Sequence, residues 1–188
     1  MFYMNEELRQ NLCSGLAIEA LYEKETGQGD FATCVIRGNG TVEIYPHCKV
    51  ETALDMLAAS RGMELSRLRR LRGRAQGNLR SHVDFYEISL RLIFMPVRYC
   101  KPFNSNHGAM VYVNVPRLRG VMEDGQGHTI LQFFSGQELR VKESAATLRG
   151  KMTAGRELYY GRYIAQREDL RYVRLAIKRL QRLVEACL

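Results

Sequence analysis

The sequence lacks the features that would place it in a membrane or in an oxidising compartment. No apolar run approaches the roughly 18 residues that a membrane-spanning helix needs. Residues 1–10 include Glu6, Glu7 and Arg9 and have no apolar core of a secretory signal. The five cysteines are odd in number, widely spaced and without a Cys-x-x-Cys pair, which argues against a disulfide framework. We therefore expect a cytoplasmic protein in a reducing environment, with no membrane partner.

Motifs of common enzymes and metal sites are also missing. His47 and Cys48 are adjacent, and Cys100 and His107 are seven positions apart, so neither pair matches zinc-ligand spacing. No nucleophile elbow or protease signature accompanies Cys100, and the glycine-containing turns lack the Walker pattern. We expect no enzyme activity, no metal and no other cofactor. An enzyme with an unrecognised site at Cys100 and His107 stays open as an alternative.

Positive charge is what the sequence has in excess. Its 188 residues include 28 Lys and Arg against 20 Asp and Glu, a formal net charge of +8. A balance of this size favours a polyanionic partner such as nucleic acid. The hydrophobic share of 46% and the charged share of 26% indicate a globular domain rather than a disordered chain.

The first third of the chain has the patterns of strands and one short helix. Residues 16–24 mix apolar and charged side chains and fit either a strand or a helix. Residues 32–37 and 41–45 are β-rich runs on either side of Gly38-Asn39-Gly40, whose Asn-Gly step suits the positive φ angles of a hairpin turn. Apolar residues at helical spacing predict a helix over residues 50–60.

Further strands are predicted in the middle of the chain. β-branched or alternating runs indicate strands over residues 83–90, 92–95 (closed by Pro96), 110–115, 129–134 and 137–142. The last two flank a Ser135-Gly136 turn and so form a second hairpin. Residues 120–128 are turn-rich and are predicted to link two strands.

Helical patterns dominate the last third. One helix is predicted from about Glu143, loosened at Gly150 and Gly155. An amphipathic helix is predicted from Asp169 onward, with a regular apolar stripe and basic residues largely away from it. Strands first and helices last predict an α+β fold: a mainly antiparallel β-sheet with a short helix in the N-terminal half and C-terminal α-helices.

The most unusual segment is rich in arginine and punctuated by glycine. Six arginines follow one another there: Arg67, Arg69, Arg70, Arg72, Arg74 and Arg80. Arginine holds phosphate through a planar fork of donors and enters the narrow minor groove of A-tract DNA. We therefore predict DNA contact by these six residues; a solvated charged face is the alternative. Arg149 and Arg156 nearly share one face of the predicted helix and join the predicted site.

Several elements between residues 50 and 160 follow one another in a recognisable order. They lie at residues 57–60, Arg72-Gly73-Arg74, residues 83–88, 92–96, 110–115, 130–136 and 139–144, and are followed by Leu148. This order and spacing resemble the ComK family of competence transcription activators. Family members often have a cysteine where Ser60 stands and a tryptophan where Val111 or Tyr112 stands; this sequence has no tryptophan.

The resemblance implies a transcription activator that works without a cofactor. Relatives bind paired A/T-rich boxes in double-stranded DNA, largely through the minor groove, as dimers that associate on DNA. Residues 1–165 would form the ComK-like α+β DNA-binding domain. Residues 166–188 would form an amphipathic helix that packs on the domain or mediates homodimerisation.

A second class of function stays open beside this one. A phage or mobile-element inhibitory protein of the anti-CRISPR kind could use the same basic surface on nucleic acid or on a nuclease. Such a protein would have a protein partner and would show no preference among duplexes.

Overall fold

The main elements of the described part of the chain are two antiparallel sheets and two helices, and residues 9–12 are also helical. The computed structural model describes residues 9–12, 17–27, 30–66, 85–99 and 110–186, with side chains of the last helix described to Gln181. The strands are β1 Ile18–Gly27, β2 Asp30–Arg37, β3 Val42–Pro46, β4 Tyr86–Ser89, β5 Leu92–Arg98, β6 Met110–Asn114, β7 Leu118–Glu123, β8 Thr129–Phe133 and β9 Glu138–Val141. The helices are α1 Val50–Ala59 and α2 Ala145–Ala186, and a 3-10 turn spans Val115–Arg117. The predicted α+β fold is confirmed.

Strand pairing in the first sheet joins segments that are far apart in the sequence. The order of this sheet is β3-β2-β1-β6-β5-β4, and the second sheet has the order β7-β8-β9. Leu21 of β1 lies opposite Tyr112 of β6, and every recorded pairing is antiparallel. The ambiguous residues 16–24 therefore belong to a central strand of the larger sheet.

Helix α1 covers one face of this sheet. Five of its apolar residues recur at helical spacing and are buried: Val50, Ala53, Leu54, Leu57 and Ala58. They pack with Leu21 and Phe94 of the sheet. The carboxylate of Glu23 accepts a hydrogen bond from the N–H of Val50 at 3.0 Å, which satisfies a donor of the first turn. The predicted helix is confirmed and ends at Ala59.

The opposite face of the larger sheet packs against the smaller sheet and the first turns of α2. Val113, Leu118, Phe133 and Leu148 belong to this second core. A buried polar contact joins the two sheets, because Glu19 of β1 accepts hydrogen bonds from the N–H and hydroxyl of Ser135 at the β8–β9 turn. The predicted hairpin with its Ser135-Gly136 turn is confirmed.

The β2–β3 hairpin is confirmed, but its turn differs from the expected one. The N–H of Gly40 donates to the Arg37 carbonyl at 2.9 Å, so the loop holds three residues. Gly40 has a φ of 86°, whereas Asn39 does not adopt a positive φ. The Asn39 side chain instead accepts a hydrogen bond from the N–H of Thr41. A three-residue loop needs a left-handed residue only at its last position.

Strand β7 contradicts the prediction of a turn-rich link over residues 120–128. Residues up to Glu123 form a strand paired with β8, with Val121 opposite Leu131. The turn is confined to the segment where the N–H of Gly127 donates to the Asp124 carbonyl. The local sequence has only a weak conformational preference here, and the pairing with β8 determines the conformation.

The sequence predicts that strand β5 ends at Pro96, and the structure contradicts this prediction. The strand continues to Arg98, and Pro96 lies opposite Tyr112 of β6. On its other side, the described pairing with β4 stops at Tyr86 and Phe94, before the chain reaches the proline. The missing N–H of Pro96 therefore costs no hydrogen bond of that pairing.

A single helix replaces the loosened and divided helices predicted for the last third. Helix α2 runs for 42 residues through Gly150 and Gly155 without a break. Gly155 is buried, and a Cβ atom there would lie 2.9 Å from both Cγ atoms of Val115. Glycine is thus present for close approach of the helix to the 3-10 turn, rather than for flexibility.

The second half of α2 extends away from the described domain. Every side chain from Tyr160 to Gln181 is exposed, so the apolar stripe of residues 166–181 packs on none of the described elements. Dimerisation through this helix stays a prediction. None of the described helices combines the length and the apolar content that a membrane span requires.

Candidate nucleic-acid interface

The predicted DNA-contacting residues fall into two groups in the structure. Arg67, Arg69, Arg70, Arg72, Arg74 and Arg80 lie outside the described residues. Arg149 and Arg156 lie on the first half of α2, where it packs against β5, β7 and the 3-10 turn.

Most cations at the base of α2 are paired with groups of the domain. Lys151 Nζ lies 2.5 Å from Glu143 Oε1 and also donates to the Pro96 carbonyl. Arg162 Nε lies 3.2 Å from Glu87 Oε2 at the edge of the larger sheet. These pairs fix the helix on the domain and compensate the positive charge there.

The two predicted contacts on this part of the helix have different surroundings. The guanidinium of half-buried Arg156 donates to the carbonyls of Leu118 and Arg119 at 3.0 and 3.2 Å, so it anchors α2 to β7. Arg149 is 52% exposed and 4.0 Å from the equally accessible Glu123. A surface pair at that distance is weak, which leaves Arg149 accessible to another anion.

Uncompensated cations lie farther along the helix. We call Arg167, Arg171, Arg174 and Lys178 the basic stripe. Its members recur at intervals of four, three and four positions, so they lie on one face of the helix. All four are exposed, and the described residues provide none of them with an ion-pair partner. Glu168 and Asp169 project from other sides of the helix.

The basic stripe continues the line on which the predicted contacts lie. Arg167 follows Arg149 after about five full turns of helix, and Arg174 follows Arg156 at the same spacing. Arg149, Arg156 and the basic stripe therefore share one face, over about 44 Å from Arg149 to Lys178. This alignment is visible in the spacing, but treating the last third as two separate helices conceals it.

A cavity of about 810 Å³ opens where α2 leaves the domain. Its described lining includes the guanidinium groups of Arg61, Arg91 and Arg117 and the rings of Tyr159 and Tyr163, and it contains no carboxylate residue. Arg117 Nε lies 3.9 Å from the buried Glu19 behind the wall. The cavity thus adds positive potential at the base of the basic stripe.

Arg140 is a cation that forms an ion pair within the fold. Its Nη2 lies 2.9 Å from Asp124, at the turn between β7 and β8. Hydrogen bonds from the backbone N–H groups of His128 and Gln126, together with the His128 and Arg140 charges, hold the pKa of Asp124 below its ordinary value. Asp124 is therefore ionised at neutral pH and compensates Arg140.

Catalytic and metal-binding groups do not converge in the part of the chain that is described. No three His, Cys, Asp or Glu side chains of those residues form a group that could hold a metal. Burial raises the pKa of the Cys34 and Cys48 thiols, so both are neutral at physiological pH. Cys100 and His107 lie outside the described residues.

Comparison with known proteins adds no further assignment: no family model, no curated protein and no solved structure matches the chain. The distribution of charge in the fold and the sequence pattern are therefore the features from which a function can be proposed.

Proposed function

We propose that this protein is a DNA-binding transcription regulator, an activator of the ComK type that recognises A/T-rich duplex boxes. The basic stripe is the observation that carries the proposal. Four exposed cations lie on one helical face, and none of them has an ion-pair partner among the described residues. Like charges in such a row repel one another, and a polyanion beside them would relieve that repulsion.

The stripe matches the physical demands of duplex binding. Cations that neutralise phosphates release condensed counterions, which supplies affinity and makes it strongly dependent on salt. The line from Arg149 to Lys178 is about 44 Å long and exceeds one turn of B-DNA, about 34–36 Å. Arginines are also the side chains that enter narrow A-tract minor grooves, where shape supplies specificity.

The remaining parts of the proposal come from the sequence pattern. Arg67, Arg69, Arg70, Arg72, Arg74 and Arg80 provide a second set of contacts, and Arg149 extends the basic stripe. The active form is a homodimer in the cytoplasm, and it needs no cofactor. Two-fold symmetry of such a dimer would be mirrored in paired boxes.

Binding to matched duplexes tests the proposal. Fluorescence anisotropy is measured on an A/T-tract duplex, a G/C-rich duplex and an RNA duplex over a series of salt concentrations. We expect tightest binding to the A/T tract and a steep decrease of affinity with salt. Equal, weak binding to all three would contradict the proposal and favour the inhibitory protein that grips a nuclease.

The contribution of the stripe is tested separately. Arg171→Ala with Lys178→Ala should weaken A/T-tract binding on the order of tenfold and lower the salt slope by about 2, because two phosphate contacts are lost. Arg179→Ala is the matched control, since Arg179 is exposed on the same helix but points away from the stripe. Unchanged affinity of the folded double variant would exclude the stripe, and Arg72→Ala with Arg74→Ala then tests the other set.

A further inference from the structure

Exposed apolar surface is concentrated on the extending half of α2. Of 13 large apolar side chains that are exposed among the described residues, nine lie on this helix, from Tyr160 to Leu180. Contiguous apolar surface of this kind marks an interaction site in a folded protein.

Four of these residues form a regular seam. Leu170, Val173, Ile177 and Leu180 follow one another at intervals of three, four and three positions, and each is 50% to 62% exposed. We call them the α2 seam. The spacing is that of the a and d positions of a heptad repeat, with Leu170 and Ile177 at a and Val173 and Leu180 at d.

The seam is in phase with the face by which α2 packs on its own domain. Leu170 follows Met152 after about five full turns of helix, and Val173 follows the buried Gly155 at the same spacing. Because a whole number of turns separates them, both halves of the helix present the same face. The first half of that face is covered by the sheets, and the second half is exposed in a single copy of the chain.

We propose that a second copy of the chain covers the α2 seam, and that the two helices form a parallel, two-stranded coiled coil. Isoleucine at a and leucine at d, as at Ile177 and Leu180, is the pattern that favours two strands. A helical segment without tertiary contacts is only marginally stable. Packing of a partner helix along the seam supplies the missing tertiary contacts.

Charges beside the seam favour the parallel orientation. In a parallel pair, Asp169 at a g position faces Arg174 of the other copy at the next e position, and the pair occurs twice by symmetry. An antiparallel pair that covers the same seam would instead bring Arg174, at an e position, opposite Arg174 of the other copy. Arg162 at the preceding g position is already paired with Glu87, which reduces its repulsion of Arg167 in the other copy.

The coiled coil does not depend on the DNA-binding proposal, but it assigns Arg174 of the basic stripe to an ion pair with the other copy and leaves Arg171 and Lys178 for DNA. Arg171 and Lys178 of the basic stripe occupy b positions, which point away from the partner helix in a two-stranded coil. Self-association can therefore be measured on nuclease-treated protein without nucleic acid. Failure of one proposal is then distinguishable from failure of the other.

Sedimentation equilibrium of the full chain at moderate salt is the first test. We expect a dimer for the wild type and a monomer for Ile177→Glu, whose dissociation constant should be at least 100-fold higher. Leu175→Glu is the matched control, because Leu175 is 52% exposed but lies on the opposite face. The proposal is overturned by a monomeric wild type at protein concentrations on the order of 100 µM, or by equal effects of the two variants. Circular dichroism at high protein concentration verifies that each variant folds.

A charge exchange tests the orientation. Asp169→Arg should weaken the dimer, and Asp169→Arg with Arg174→Asp should restore it, because the facing pair is re-formed with reversed sign. Arg174→Asp alone should weaken a parallel dimer, because the new carboxylate faces Asp169 of the other copy. It should leave an antiparallel dimer little changed, because one pair of like charges replaces another. A dimer that this single variant does not weaken overturns the parallel arrangement.

Discussion

At the scale of single residues, the partner of a cation decides its role. Lys151, Arg162 and Arg140 are paired with carboxylates from other elements, whereas the basic stripe has no such partner among the described residues. Sequence composition records the charges but cannot pair them, because Glu87 lies 75 residues before Arg162. This is why the sequence identified basic residues on α2 without separating anchors from available contacts.

Asp124 should make stability dependent on pH in the acidic range. Its pKa is lowered in the folded state, so its stabilising contribution is present above the unfolded-state pKa of about 3.9. That contribution is lost as the pH falls through the lower folded-state pKa. Asp124→Asn should lower the melting temperature by a few degrees near pH 7, and the difference from wild type should shrink as the pH falls below about 3.9.

Thermal melts from pH 2 to 7 measure this difference. Asp55→Asn is the control, since Asp55 is exposed on α1 and has no ion pair among the described residues. A difference that grows as the pH is lowered would contradict the assigned role of Asp124.

At the scale of elements, periodic patterns predicted structure well wherever one face is buried. The residues of α1 and the two hairpins followed from spacing and turn residues alone. Strand β7 and the continuity of α2 did not, because both depend on contacts with distant elements. Without knowledge of those contacts, Gly120 indicates a turn and Gly155 indicates a break in the helix.

Gly155 and Gly161 should respond oppositely to replacement by alanine. Gly161→Ala should stabilise the protein by about 0.5–1 kcal/mol, because alanine loses less backbone entropy in a helix and a Cβ there meets no described neighbour. Gly155→Ala should destabilise it by about 1–3 kcal/mol, because a Cβ there would lie 2.8 Å from Phe85 and 2.9 Å from Val115.

Urea denaturation of both variants measures the two changes in the free energy of unfolding. Stabilisation of similar size by both substitutions would show that α2 does not need the close approach at Gly155.

At the scale of the whole molecule, cations at the base of α2 are largely compensated, and the basic stripe on the extending half of the helix has no ion-pair partner among the described residues. The net charge of +8 predicted an anionic partner but not this distribution. Of the predicted site, only Arg149 and Arg156 fall in the part that is described. The proposed functional class comes from the resemblance to ComK activators and stays a proposal.

Unfolding should occur in two steps. Residues 166–181 pack on no described element of the domain, so this part of α2 should melt independently. If a second copy covers the α2 seam, the first transition should shift to higher temperature as protein concentration rises. The domain transition should not shift.

Far-ultraviolet circular dichroism at several protein concentrations follows the helix. The near-ultraviolet signal of the buried ring pair Tyr86 and Tyr112 follows the domain. Coincident transitions at every concentration would show that the extending helix and the domain unfold as one unit.

Because α2 is continuous, the number of residues between the domain and the basic stripe also sets an angle. Each residue inserted between Gly161 and Arg167 would rotate the basic stripe by about 100° around the helix axis and advance it by about 1.5 Å. One inserted residue would turn the stripe toward another side, whereas seven would return it to within about 20° of its original direction. If the basic stripe binds a duplex as proposed, the number of residues between domain and stripe determines which side of the duplex the two sheets face.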